Sequence, residues 1–376
     1  MTALATFRLE FPPRSRYNVG MKTTALIMAG GRGERFWPKS RQNLPKQFLS
    51  LTNDSRTMIQ LTVDRIKPLV AIQDVYVATN QKYKALVKEQ LPGIPEENIL
   101  CEPVARNTAP CIGLGAAHVA KKDGDAVMMV LASDSLIKND ELFVQTLKEA
   151  VSIAQKEQKI VTMGITPNYP ETGYGYIKFD QSQKDGSAFK VERFVEKPDL
   201  ETAKKYLSDG GYLWNSGMFV WKASTVLSSI KAFMPDLSAG LEKIQAAVGT
   251  ADYNKVLESV FPTLPSESID YGVMEKAKDI YTIPGNFGWD DVGSWLAVGR
   301  IKGSDESCST IVGKVVTVNS SGNVILGGKK LIACVGLKDT VVVDADDALL
   351  ICAKDACGDI KKVLAALREK GMEEYL

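Results

Sequence analysis

The chain carries 376 residues, with 46 Lys and Arg against 45 Asp and Glu, a formal net charge of +1 and a hydrophobic fraction of 45%. That length predicts one large domain with a smaller companion, and the balanced charge argues against a nucleic-acid or membrane-surface partner. No run approaches the ~20 apolar residues that a membrane span needs.

Residues 1–20 include Pro12, Pro13, Arg14 and Arg16 and show neither a hydrophobic period nor a sustained apolar segment. No secretory signal is expected there; the stretch reads as a disordered or artefactual extension. Short apolar runs at 24–28, 75–78, 127–131 and 160–164 predict buried parallel strands. Between them the spacing predicts helices at 57–66, with Met58, Leu61 and Ile66 apolar, and at 143–154, with Leu147, Val151 and Ile153 apolar. This alternation implies an α/β fold: an open sheet, mixed but mainly parallel, wrapped by helices. Ligands bind such sheets at the carboxyl ends of the strands, which gathers the loops at 29–46, 100–110 and 132–137.

Further strands are expected at 98–100, 174–179, 191–195 and 214–221. Beyond Gly303 the texture changes to short β runs at 315–318, 323–325, 331–335 and 340–343, separated by Gly, Asn and Asp. They predict a small β appendage of short solenoid-like turns, closed by a helix over 360–370 with Gly371 as its cap. The expected division is thus 1–20, 21–302 and 303–376, the last serving dimerisation. Six cysteines (Cys101, Cys111, Cys308, Cys334, Cys352 and Cys357) form no CxxC pair. They are expected as reduced thiols in a cytoplasmic protein.

The sharpest motif is AGGRGERFWPKSRQNLPKQF at 29–48, directly after a strand. Gly30, Gly31 and Gly33 permit close backbone approach, so several N–H groups can converge on an anion. Arg32, Arg35, Lys39, Arg41 and Lys46 crowd into the same stretch, as a triphosphate requires. The GK[ST] ending of a Walker A loop is absent, and an ordinary strand-to-helix turn with surface cations is the competing reading. In EPVARNTAP (102–110), Asn107 and Thr108 offer an amide and a hydroxyl to a base edge, or cap a helix. Asp134 in LASDS (131–135) ends a strand as a hard oxygen donor for Mg²⁺, or as a helix cap. GWDDVGSW (288–295) supplies Asp290 and Asp291, in a second acidic site or a tight turn. ETGYGYI (171–177), FVEKP (194–198) and NSGMF (215–219) bring Gly175, Glu196, Lys197 and Asn215, residues suited to a sugar ring, its hydroxyls and a phosphate. SIDYGVMEK (268–276) reads chiefly as a helix start capped by Ser268 or Asp270.

Taken in order, these motifs resemble the sugar-nucleotide pyrophosphorylases, above all their mannose-1-phosphate guanylyltransferase branch with its GGxGxRxWPxSR loop and following PKQF. The likeness covers about residues 21–300. It implies a Rossmann-like nucleotidyltransferase domain with Arg35, Lys46 and Lys197 as catalytic cations. It places Ala29, Gly30, Gly31, Gly33, Arg106, Asn107, Thr108 and Ser133 at the nucleotide, and Gly175, Glu196, Lys197 and Asn215 at the sugar phosphate. Asp134 and Asp291 are implied as Mg²⁺ ligands. The family's SDHxI reads Ser133-Asp134-Ser135-Leu136-Ile137 here, so Ser135 replaces a His beside the implied metal ligand.

The resemblance implies synthesis of GDP-mannose and pyrophosphate from GTP and mannose 1-phosphate by a cytoplasmic homodimer. The alternatives are another nucleotide or hexose 1-phosphate, and a non-catalytic GDP-mannose-binding paralogue. His118 is the only histidine and lies in an apolar helical stretch, so the expected chemistry relies on positioning and charge neutralisation, not a histidine base. With no histidine after it, a C-terminal metal-dependent isomerase module is not expected.

Overall fold

Strand β1 (Thr23–Ala29) is buried almost throughout and pairs in parallel with β2 (Val75–Asn80) on one side and β4 (Val127–Ala132) on the other. β3 (Ile99–Glu102) extends the sheet beyond β2. In the computed structural model, which describes residues 21–156 and 158–376, these strands open a nine-stranded sheet; the expectation for residues 1–20 lies outside the described residues. The other members are β5 (Ile160–Ile165), β6 (Tyr176–Asp185), β7 (Ala188–Val195), β8 (Tyr212–Lys222) and β9 (Ile280–Gly285), in the order β3-β2-β1-β4-β8-β5-β9-β7-β6.

The sheet is mixed, but less parallel than expected. β8 runs antiparallel to both β4 and β5, and β6 and β7 form an antiparallel hairpin, while β5 and β9 are parallel. The reason lies in β8: its apolar residues are buried whichever way it runs, so its composition carries no sign of direction. β1, β3 and β4 run in parallel, so their ends at Ala29, Glu102 and Ala132 share one edge of the sheet.

The helix Thr108–Asp123 packs on this sheet through its small residues. A Cβ on Gly115 would stand 2.5 Å from Leu26 Cδ2, so that contact admits only glycine. Helix Asp140–Lys156 buries Phe143, Leu147, Ala150 and Ile153 at helical spacing. No helix among the described residues is long and apolar enough to cross a membrane.

The chain forms two compact units that interleave in sequence. Among the described residues the first comprises 21–30, Val63–Ala132 and Ile137–Trp289; the second comprises Gly31–Thr62, Ser133–Leu136 and Asp290–Leu376. The nine-stranded sheet belongs to the first. The second holds β10 (Thr310–Val312), β11 (Val315–Val318), β12 (Val324–Leu326), β13 (Ile332–Val335), β14 (Thr340–Asp344) and β15 (Leu349–Ala353). β10, β12 and β14 pair in parallel, β15 joins β14 antiparallel, and β11 pairs in parallel with β13. Asn323 staples successive turns: its amide donates to the Leu337 carbonyl at 2.9 Å and its oxygen accepts the Thr340 N–H at 3.0 Å. The helix Ile360–Glu369 closes the region, with Gly371 at φ 67°. The core of this unit joins Phe36, Trp37 and Trp295 to Val324, Val341 and Leu364.

Candidate active-site residues

In the second unit the glycine-rich loop is shaped by one close approach. Gly33 has φ 62°, and a Cβ there would lie 2.5 Å from Lys46 Cβ and 2.6 Å from its backbone nitrogen. Glycine alone lets the two ends of the loop meet. The Gly33 carbonyl accepts from Phe36 N at 2.9 Å and Ser40 Oγ at 2.8 Å. Gln47 Nε2 donates to the Gly31 carbonyl at 3.1 Å, while space remains open around Gly31 Cα.

Lys46 is buried, and its ammonium lies 3.0 Å from Asp134 Oδ2 and 2.6 Å from the Asp291 carbonyl oxygen. Leu136 and Asp290 exchange backbone hydrogen bonds at 2.8 and 3.1 Å. Three segments remote in sequence thus meet at one cation, Asp134 through its carboxylate and Asp291 through its backbone carbonyl. Asp291 Oδ1 accepts the Gly293 N–H at 3.1 Å. Ser133 is buried, its carbonyl taking a hydrogen bond from Thr62 Oγ1 at 3.3 Å, and Ser135 is buried beside it. Arg35 is exposed and makes no ion pair among the described residues, as a ligand-facing cation would be. Arg41 departs from expectation: Asp347 holds its Nη2 at 2.6 Å and its Nη1 donates to the Pro38 carbonyl, so it braces the loop.

In the first unit, Ala29 ends β1 fully buried and Gly30 is exposed. Glu102 ends β3 with Oε2 3.3 Å from where a Gly30 Cβ would stand. It is buried and its Oε1 has no hydrogen-bond partner. Burial pushes its carboxyl up to about 7, against a smaller opposing effect of the Cys111 thiol. Asn107, at φ 68°, caps the helix Thr108–Asp123 with a 2.8 Å bond from Thr108 N, so the capping alternative holds; the side chain remains exposed. Thr108 Oγ1 accepts the Ile269 N–H at 2.9 Å, and Arg106 donates to the Pro262 carbonyl.

A second cluster in the same unit gathers Gly175, Glu196, Lys197, Asn215 and Asp270. The Gly175 carbonyl accepts from Asn215 N at 2.8 Å. Lys197, at φ 47°, binds Glu196 Oε1 at 2.7 Å. Glu196 Oε2 is buried without a partner, an acceptor facing the missing side chain of Gly175. Burial alone would lower Lys197, but the Glu196 bond and charge outweigh it and hold the ammonium above its usual range. Asn215 Nδ2 donates to Asp270 Oδ1 at 2.9 Å. Burial, aided by the Glu196 charge, raises Asp270 to about 6. The cap expected at 268–270 is Ser268, whose hydroxyl accepts the Tyr271 N–H at 3.2 Å. Asp270 faces the cluster instead.

Sequence reasoning therefore missed Asp270 and Glu102. Glu102 was visible as the head of EPVARNTAP, but nothing local marks it as buried. His118 is buried, its Nδ1 2.9 Å from the Leu114 carbonyl, and burial pulls it below its usual range, leaving it neutral. Among the described residues no three His, Cys, Asp or Glu side chains converge as a metal site. Asp134 and Asp291 offer oxygen donors only, so a cation there would complete its shell with phosphate oxygens and water. That donor set suits Mg²⁺.

Residues 24–306 match the family described as nucleotidyl transferase, and residues 313–367 match one described as the MannoseP isomerase/GMP-like beta-helix domain. A mannose-1-phosphate guanylyltransferase of Salmonella montevideo is 40% identical over 361 residues, covering 94% of this chain and 75% of the relative. One from Escherichia coli K12 is 39% identical over 363 residues, with the same coverage of 94% and 75%. A crystal structure described as a mannose-1-phosphate geranyltransferase from Thermus thermophilus superposes with a TM-score of 0.84 at 34% identity, covering 93% of this chain and 100% of that one.

Proposed function

The chain belongs to the mannose-1-phosphate guanylyltransferases of the nucleotidyl transferase family, and from that premise we infer how its residues carry the reaction. The enzyme makes GDP-mannose and pyrophosphate from GTP and mannose 1-phosphate. A phosphate oxygen of mannose 1-phosphate attacks the α-phosphorus of GTP in line. One P–O bond forms as the bond to the β-phosphate oxygen breaks, and that oxygen leaves with pyrophosphate. The nucleophile is already an anion, so no general base is needed. This agrees with a histidine that is buried and neutral.

The observation that carries this reading is Lys46, buried and held between Asp134 and the Asp291 backbone. We assign the loop glycines Gly30, Gly31 and Gly33, with Ala29, Ser133, Arg35 and Lys46, to the nucleotide phosphates. Arg106, Asn107 and Thr108 are assigned to the base. Lys197 takes the phosphate of the sugar substrate, while Glu196, Asn215 and the Gly175 backbone take its hydroxyls. Asp134 and Asp291 would hold Mg²⁺, which when bound neutralises phosphate charge. Preorganised cations of this kind contribute a few kcal/mol each.

The catalytic part is taken as residues 21–302 and the small β domain as 303–376. Alternation of β10, β12 and β14 with β11 and β13 supports a short solenoid. Exposed Val316, Val318, Leu331 and Val335 support self-association into a homodimer through β11 and β13. Six free cysteines are in keeping with a cytoplasmic enzyme. The reading is tested by a pyrophosphate-release panel of GTP, ATP and dTTP against several sugar 1-phosphates. Turnover is expected with GTP and mannose 1-phosphate; faster release from another pair would overturn the assignment.

A further inference from the structure

Within the second unit, the stretch of the glycine-rich loop from Glu34 to Trp37 is held from both sides by residues far away in sequence. Trp37 is nearly buried and its indole Nε1 donates to the Tyr375 carbonyl at 2.7 Å. Its own carbonyl accepts from Trp295 Nε1 at 3.1 Å. Phe36 packs edge-on against Trp295 at 5.1 Å, and the Lys46 ammonium lies 5.5 Å from the centre of the Phe36 ring. Arg368 on the last helix lies 3.8 Å from Glu34, and Leu376 is buried in the same apolar cluster. The other side of the loop is different: Gly31, Arg32 and Arg35 are exposed.

We propose that the segment 360–376 is a positioning element for the triphosphate loop. It holds Glu34–Trp37 so that the exposed glycines and Arg35 are ordered before the nucleotide arrives. A glycine-rich segment loses more conformational freedom than any other when it is fixed. If binding had to fix it, that cost would be subtracted from affinity. Buried contacts at Trp37 remove the cost in advance. The region after Gly303 is therefore part of the nucleotide machinery, beyond any role in self-association. This inference rests on reading the loop as the GTP site.

Two variants test it. Trp37→Phe keeps the aromatic packing but removes the N–H, leaving the Tyr375 carbonyl unpaired. Removal of residues 373–376 takes away that carbonyl and Leu376. Loss of one such hydrogen bond corresponds to about a fivefold change in binding. The KM for GTP should rise by about that factor in both variants, with the KM for mannose 1-phosphate unchanged. Trypsin cleavage after Arg32 and Arg35 should accelerate in parallel, a readout independent of turnover. A purely structural role would instead reduce kcat through loss of active enzyme and leave both KM values alone; that result, or wild-type cleavage rates, overturns the proposal. Wild-type enzyme inert towards GTP would refute the substrate reading, whereas faster cleavage in the variants would still uphold the positioning role.

Discussion

A single methyl group added at Gly175 perturbs the sugar-phosphate cluster directly. In Gly175→Ala the new Cβ would stand 2.4 Å from Glu196 Oε2 and 3.3 Å from Asn215 Cβ. Carbon and oxygen do not approach within 3.0 Å in this way, so the carboxylate must retreat by about 0.6 Å. Asn215 cannot give way easily, because its backbone N–H is bonded to the Gly175 carbonyl and its amide to Asp270. The movement stretches the 2.7 Å bond from Lys197 to Glu196 and removes the acceptor left open by the glycine. A lost hydrogen bond to a charged group is worth about 1.5–3 kcal/mol, which is about 10- to 100-fold in affinity. Steady-state kinetics should show the KM for mannose 1-phosphate raised by that factor and the KM for GTP unmoved. A variant with wild-type mannose 1-phosphate KM would refute the assignment of this cluster.

Lys46→Met leaves Asp134 without its cation and should lower kcat/KM about 100- to 1000-fold, on the scale of other electrostatic catalytic groups; turnover within tenfold of wild type would remove Lys46 from the mechanism. Asp134→Ala should abolish pyrophosphate release at ordinary Mg²⁺, and chelation of Mg²⁺ should do the same to the wild type; normal turnover in either case excludes the metal role. Asp270 carries a stability signature. Its folded value of about 6 lies above the ordinary 3.8, so the native state holds the proton more tightly than the unfolded chain. That stabilisation is present below about pH 4 and lost as pH rises through 6. Asp270→Asn should gain about 2–3 kcal/mol on wild type in urea unfolding at pH 8 relative to pH 4; an advantage that does not change with pH contradicts the buried-carboxyl account.

What could be read in the sequence was local. β1, β2, β4 and β5 were legible because strands buried on both faces are continuous apolar runs. The loop was legible because glycines beside cations have few other uses. The direction of β8 was hidden, since burial on both faces carries no polarity. β10 spans only Thr310–Val312, too few residues for any period to emerge. Arg41 resembled every other loop cation until the fold brought Asp347 to it. Asp270 resembled a helix cap because an aspartate at a helix start usually is one; only placement beside Asn215 and Glu196 gives it another character. The gaps at Arg41 and Asp270 have one cause: burial and partnership of a charged group are tertiary properties, invisible until distant segments meet.

That same burial gives the protein two groups that titrate near neutrality. Histidine ordinarily supplies titration near neutrality, but the only one, His118, is buried and held neutral. Ser135, standing where the family carries a histidine, has no charge to change. Two carboxyls fill the gap: Asp270, raised to about 6, and Glu102, raised to about 7. Both are acids whose ionised form is the better acceptor, one in the sugar-phosphate cluster and one beside Gly30. Activity should therefore rise from pH 5 to 8 as they lose their protons. The phosphate of the substrate also ionises near pH 6, so the slope alone decides nothing. The difference between variants does. Glu102→Gln keeps the side-chain shape and one acceptor but cannot ionise, so its kcat/KM profile should lack the shoulder near pH 7 while keeping the lower limb. A profile superimposable on wild type would show that ionisation of Glu102 has no influence on the reaction.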